Sequence, residues 1–239
     1  MSSTEAPTLS AAPASPPADR KIVPMNGLRG MISKVMQQGW SAPRVALGLD
    51  VEMGPAVARA KALSTELGVK ISPTHLLLAA LAQTLAKHPR MNALVTDKGI
   101  EEVHAINLAV AVHTDGGLVA PVIRDAQNKN LATLSTELAE LAEKARKGTL
   151  GPAGYQRGTF TLSNLATTGI DWVTPVINPP QVAILGVGRT RDAVVVRDSV
   201  PAVALMATLT LVFDHRAVDG TPAAQFLRDL GVAIEAAAF

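Results

Sequence analysis

The chain has 239 residues, of which 48% are hydrophobic and only 3% aromatic, so it is long enough for one large domain with an aliphatic core. A net charge of +2 supplies no field for nucleic acid, even with a pI near 9.0. The absence of cysteine excludes disulfides, thiolate metal sites and a cysteine nucleophile.

No apolar run reaches the ~18–20 residues of a membrane span, and the longest, 202–213, is too short. The N-terminus has no basic region followed by an apolar stretch, and no arginine precedes Arg20, so neither a secretory signal nor a mitochondrial presequence is read there. The cytoplasm is the expected compartment.

Of the first 18 residues, 15 are Ala, Pro, Ser or Thr. Such a segment buries too little apolar surface to offset its ordering entropy, so 1–21 read as a disordered linker or tail and 22–239 as the folded domain. Leu28, Met31, Ile32, Val35 and Met36 mark one face of a helix over 27–40. A strand is read at 45–53, a helix at 55–67 ending at Gly68, and a helix from Ser72-Pro73 to Lys87 that is apolar nearly all round and therefore buried. Pro89 disfavours helical geometry at His88. A strand pair at 107–113 and 118–123 is joined by Thr114-Asp115-Gly116-Gly117, a turn former. Leu131, Leu134, Leu138, Leu141 and Ala145 mark a long helix stopped by Gly148, with Glu140–Lys144 and Glu143–Lys147 as a solvated face. Strands follow at 159–162, 182–187, 193–197 and 202–213. A last helix runs through Ala223, Phe226, Leu227, Leu230 and Ile234, with Thr221 as its cap and Pro222 at its first position. Helices and strands mix without a regular βαβ repeat, so the expected class is α+β with a mixed sheet.

Phe213-Asp214-His215-Arg216-Ala217-Val218-Asp219-Gly220 places a histidine, two carboxylates and a cation at the end of the longest strand, on a rigid support. A structural ion-pair cluster is the competing reading of the same residues. His75, His88, His104 and His113 lack paired ligand spacing, so no metal site is read. Gly186-Val187-Gly188 lacks the third glycine and the following helix of a dinucleotide fingerprint. No Gly-x-Ser-x-Gly elbow is present.

Asp214-His215-Arg216-Ala217-Val218-Asp219-Gly220 resembles the Asp-His-Arg-x-x-Asp-Gly signature of the E2 acyltransferases of 2-oxo acid dehydrogenase complexes, within the chloramphenicol acetyltransferase-like superfamily. The resemblance extends to Pro24–Arg29, Gly117–Ala126, Gly158–Leu165 and Thr174–Pro180, in family order. It implies a two-layer sandwich, a central mixed sheet covered by helices, assembled as a homotrimer. It also implies acyl transfer between a dihydrolipoyl thiol and coenzyme A, which is a substrate here. A lipoyl group would come from another domain or chain, because no Asp-Lys-Ala lipoylation hairpin is present, and the E1 and E3 components become candidate partners. Carried over residue by residue, the match makes His215 the general base, Ser163 the oxyanion donor and Asp219 a positioning carboxylate, with Arg29 as its candidate partner. Spacing alone would not select Ser163. Asp214 and Arg216 are expected to be structural.

Three positions depart from the pattern. Val212 stands where serine is common, Arg157 replaces one of two glycines before Thr159, and Ala166 replaces the glycine after Ser-Asn-Leu. The ending Ala236-Ala237-Ala238-Phe239 lacks the family's acidic-proline and leucine segment, which leads to the expectation of a trimer that builds no cage. A small-molecule acetyltransferase of the same fold and a non-catalytic trimeric scaffold remain alternatives.

Overall fold

The computed structural model describes residues 20–238. The expected linker over 1–21 therefore falls almost wholly outside the described residues.

The elements follow in the order α1 (Gly27–Trp40), β1 (Arg44–Glu52), α2 (Gly54–Leu67), α3 (Pro73–Lys87), β2 (Ala93–Thr96), β3 (Gly99–Glu102), β4 (Leu108–Val110), β5 (Val112–Thr114), β6 (Gly117–Val119), β7 (Val122–Ile123), α4 (Leu131–Arg146), β8 (Phe160–Asn164), β9 (Ala183–Val187), β10 (Arg191–Arg197), β11 (Val200–Asp214) and α5 (Gly220–Ala236). The main sheet has the order β1-β11-β9-β8-β4-β7, with β10 paired to the first half of β11. The β4–β8 and β8–β9 pairs are parallel and the rest antiparallel, so the sheet is mixed as expected.

Residue alternation along β11 gives the sheet two unlike faces. Leu209, Leu211 and Phe213 point into the main core with α3, α5 and part of α2, where Leu76, Leu78, Leu81, Phe226 and Leu230 are buried. The α3 helix is buried nearly all round, as its composition predicts. On the other face Val212 packs only against Ile177, Ile184 and Ala42, and Ala46, Gly48 and Asp50 of β1 are exposed. Helices thus cover one face; on the opposite face β1 is exposed, while Thr161, Ile184, Thr210 and Val212 are buried.

Two local readings change. The strand pair over 107–123 is cut into four short strands. Pro121 has no N–H for a ladder, and its carbonyl accepts from Val110 N at 2.9 Å while Ala111 N turns to Leu162 O. As a result β5 and β6 form a separate hairpin, and β4 and β7 join the main sheet. The last helix starts at Gly220 with Asp219 as its N-cap, so Thr221 does not cap it. Pro222 is tolerated because first-turn N–H groups have no helical acceptor. The β2–β3 hairpin had no counterpart in the sequence reading.

Candidate active site

His215 follows β11 directly. Its backbone N–H donates to Pro43 O at 2.9 Å, which ties the turn to the segment entering β1. Its ring lies 6.0 Å from that of fully buried Phe213, tilted by 31°. Val212 points to the opposite face of the sheet, with Ile177 and Ile184. The His215 side chain is 46% exposed, so a single chain does not desolvate it.

Asp214 and Arg216 form the rigid base of the turn. The Asp214 side chain is 3% exposed. Arg216 donates to it from its backbone N–H at 3.0 Å, from Nε to both oxygens at 3.0 and 3.1 Å, and from a terminal nitrogen at 2.6 Å. The Asp214 carbonyl also accepts from Ala217 N and Val218 N. A carboxylate so fully engaged has no free edge for chemistry, which agrees with the structural role expected for this pair.

Asp219 approaches His215 from one turn on, with Oδ1 4.0 Å from Nδ1, and is 85% exposed. The expected Arg29–Asp219 pair is not formed within the chain. The Arg29 guanidinium lies beside Gly117, because α1 rests its Leu28 and Ile32 on the tip of the β5–β6 hairpin. Asp219 belongs to a different part of the fold.

Ser163 sits on β8, half buried, opposite Gly186 on β9. Its hydroxyl makes no hydrogen bond among the described residues, whereas neighbouring Thr161 donates to Gln181 Oε1 at 2.5 Å. Ser163 lines a cleft of about 1090 Å³ on the face away from the main core, walled by Leu28, Met31, Ile32 and Val35 of α1 and by Val173 and Ile184. Segment 171–177 crosses close over β9 here. A Cβ on Gly188 would stand 1.8 Å from Asp171 O, which explains this glycine without any nucleotide. Arg189 holds the segment through Asp171 at 2.6 Å, and that hydrogen bond keeps the Asp171 carboxyl below its ordinary pKa.

Registers place the two groups far apart. Ser163 is opposite Gly186, and Gly186 is opposite Thr210, five residues before His215. Two strand spacings of ~4.8 Å and five residues at ~3.4 Å separate them by roughly 20 Å. Ser163 also faces the cleft, while His215 lies on the Phe213 side. His215 and Asp219 are brought together in one chain, and Ser163 is not.

Among the departures, Arg157 adopts φ 66°, the left-handed backbone that glycine accepts without strain. Ala166 is accommodated by a turn in which its N–H donates to Asn164 Oδ1 at 2.8 Å.

The model for 2-oxoacid dehydrogenases acyltransferase (catalytic domain) matches residues 17–239. The chain is 36% identical over 212 residues to the dihydrolipoyllysine-residue acetyltransferase component of the pyruvate dehydrogenase complex of Bacillus subtilis, covering 86% of this chain and 48% of that protein. It is 32% identical over 218 residues to the corresponding component of the acetoin cleaving system of the same organism, covering 89% of this chain and 55% of the other. The chain thus spans about half the length of the curated relatives it matches. A solved probable dihydrolipoamide acetyltransferase from Listeria monocytogenes superposes with a TM-score of 0.87 at 32% identity, covering 92% of this chain and 96% of that one. The Azotobacter vinelandii dihydrolipoamide acetyltransferase superposes with a TM-score of 0.86 at 33% identity, covering 94% and 97%. That structure addresses the roles of a serine, a histidine and an asparagine in catalysis, spaced by 52 and 4 residues, and Ser163, His215 and Asp219 have the same spacings. Chloramphenicol acetyltransferase shares the fold, with a TM-score of 0.55 at 14% identity over 90% of this chain and 99% of that one. Fold, family model and identity agree that this chain belongs to the family of 2-oxoacid dehydrogenase acyltransferase catalytic domains.

Proposed function

We propose that the chain transfers an acyl group between a dihydrolipoyl thiol and the thiol of coenzyme A, in a site completed between two copies of a homotrimer. The observation that carries this reading is the separation of Ser163 from His215. Ser163 lines a cleft with its hydroxyl uncommitted, His215 stands half exposed at the end of a strand, and one chain does not bring them together. The exposed face of β1 at Ala46, Gly48 and Asp50, and the hairpin valines Val194, Val196 and Val203 at 72–77% exposure, are the surfaces a second copy would cover.

The chemistry follows from the groups. An ordinary thiol titrates near ~8.5 and imidazole near ~6.5, a gap of about 2.7 kcal/mol that a neutral histidine bridges. His215 of one copy takes the proton from the coenzyme A thiol, whose sulfur attacks the acyl carbonyl of the lipoyl thioester. Ser163 of the next copy, its hydroxyl uncommitted, donates to the oxyanion of the tetrahedral intermediate, a contribution of ~3–4 kcal/mol. Collapse breaks the bond to the lipoyl sulfur, which leaves as a thiol with the proton from His215. Asp219 positions the histidine turn rather than touching the reacting atoms. The lipoyl group comes from another domain or chain, the E1 component acylates it and the E3 component reoxidises it, and the compartment is the cytoplasm.

The test is acyl transfer from acetyl-, propionyl- and branched-chain acyl-coenzyme A to dihydrolipoamide, with the native chain and His215→Ala. The expected result is a loss of several orders of magnitude in kcat in the variant. Equal rates in both proteins, or no transfer by a folded native trimer, would refute the reading.

A further inference from the structure

We propose that Arg146, at the rim of the Ser163 cleft, binds the phosphates of coenzyme A and so fixes the end of the cleft from which the nucleotide enters. The inference rests on the acyltransferase reading above and adds the residue that recognises the nucleotide.

The cleft is graded along its walls. Thr161 and Ser163 are its buried and half-buried hydroxyl residues; its walls are mostly apolar; and Arg146 and Lys147 are the cations among its lining residues, with Asp115 as the carboxylate. Coenzyme A has the same grading, with a thiol at one end, an uncharged pantetheine arm and a phosphorylated nucleotide at the other. Lys147 is already engaged by Glu143 at 2.5 Å. Arg146 is exposed and makes no salt bridge among the described residues; it lies within electrostatic reach of Glu143, whose carboxylate Lys147 already holds. Arg124, just after β7, donates to Ala153 O at 2.8 Å and brings a further cation against the loop between α4 and β8. A guanidinium offers phosphate a planar pair of donors, a better match than a lysine already turned to a carboxylate. A cation in the last turn of a helix also complements its dipole. That role would change stability and leave the choice of acceptor untouched.

Pantetheine separates these roles, because it carries the same thiol and arm without phosphates. Calorimetric titration with coenzyme A and with pantetheine would be run on the native protein, Arg146→Gln and Arg146→Glu. Loss of one charge-assisted contact predicts about tenfold weaker coenzyme A binding in Arg146→Gln and a larger loss in Arg146→Glu, with pantetheine binding unchanged. The difference between native and variant would shrink at high salt. In steady-state transfer the loss would fall on KM for coenzyme A. Unchanged coenzyme A binding, or equal losses for both ligands, would overturn the proposal. A variant defect confined to the KM of a lipoyl-bearing carrier protein would also overturn it and give the rim to the carrier. Binding is read without turnover, so native protein that binds coenzyme A through Arg146 but transfers no acyl group would contradict the proposed function and leave this inference standing.

Discussion

Arg216 closes on Asp214 from both its backbone N–H and its guanidinium, at 2.6–3.1 Å, across the intervening His215. Asp214 is buried while the Arg216 side chain is 57% exposed, so solvent screening reduces the value of the pair. Removing the cation still leaves a buried carboxylate with fewer donors. Arg216→Ala should lower unfolding stability by about 2 kcal/mol and loosen the histidine turn. Urea unfolding checks the first effect. A kcat that falls while KM for the acyl donor holds checks the second.

Arg157 occupies a left-handed position at φ 66°, and its carbonyl accepts from Asn107 Nδ2 at 2.8 Å. A non-glycine residue there costs about 1–2 kcal/mol, partly offset because glycine orders at a larger entropy loss. Arg157→Gly should therefore raise stability by about 0.5–1 kcal/mol, read as a higher urea midpoint with an unchanged slope.

Gly39, at the end of α1, has the reverse constraint. A Cβ there would stand 2.0 Å from Ile177 O, backbone that cannot step aside without moving the segment above β9. Gly39→Ala should cost about 3 kcal/mol or more and widen the Ser163 cleft. Thermal unfolding together with hydrogen exchange over 171–178 would measure both.

His75 supplies a pH dependence away from the site. Its Nδ1 accepts from the Ser72 N–H at 2.9 Å, which requires the neutral ring. Burial, and secondarily Lys70, lower its pKa in the folded chain. The unfolded chain then takes up the proton first as the pH falls below ~6.5. The stabilisation is fully present above that pH and is lost as the pH falls through the lower folded value. Urea midpoints measured between pH 8 and 5 should fall toward acid, and His75→Gln should flatten the slope.

The sequence made most helices legible because their apolar spacing and stops are local: the reading of α1 over 27–40 matches Gly27–Trp40 residue for residue. The break at Ala111 and Pro121 was not legible, because it depends on Leu162 of a strand some fifty residues on accepting the Ala111 N–H. In the site, His215, Asp219 and Ser163 were marked by motif and by resemblance. The geometry of Arg29 was not, since its place beside Gly117 is set by how α1 lies on a hairpin. The cations at the cleft rim carry no sequence signal beyond a helix end. Arg146 stood out only once α4 was seen to run to the mouth of the cleft.

The central claim is that Ser163 of one copy works with His215 of another. Its most direct test mixes two inactive proteins, Ser163→Ala and His215→Ala, after dissociation and reassembly, and measures acyl transfer to dihydrolipoamide. In a ring of three with heterologous contacts, random mixing at equal amounts gives native Ser163 and native His215 in about a quarter of the sites. The account predicts recovery of about a quarter of native activity in the mixture, and none when the proteins are assembled separately and then combined. A reassembled mixture no more active than its components would contradict it.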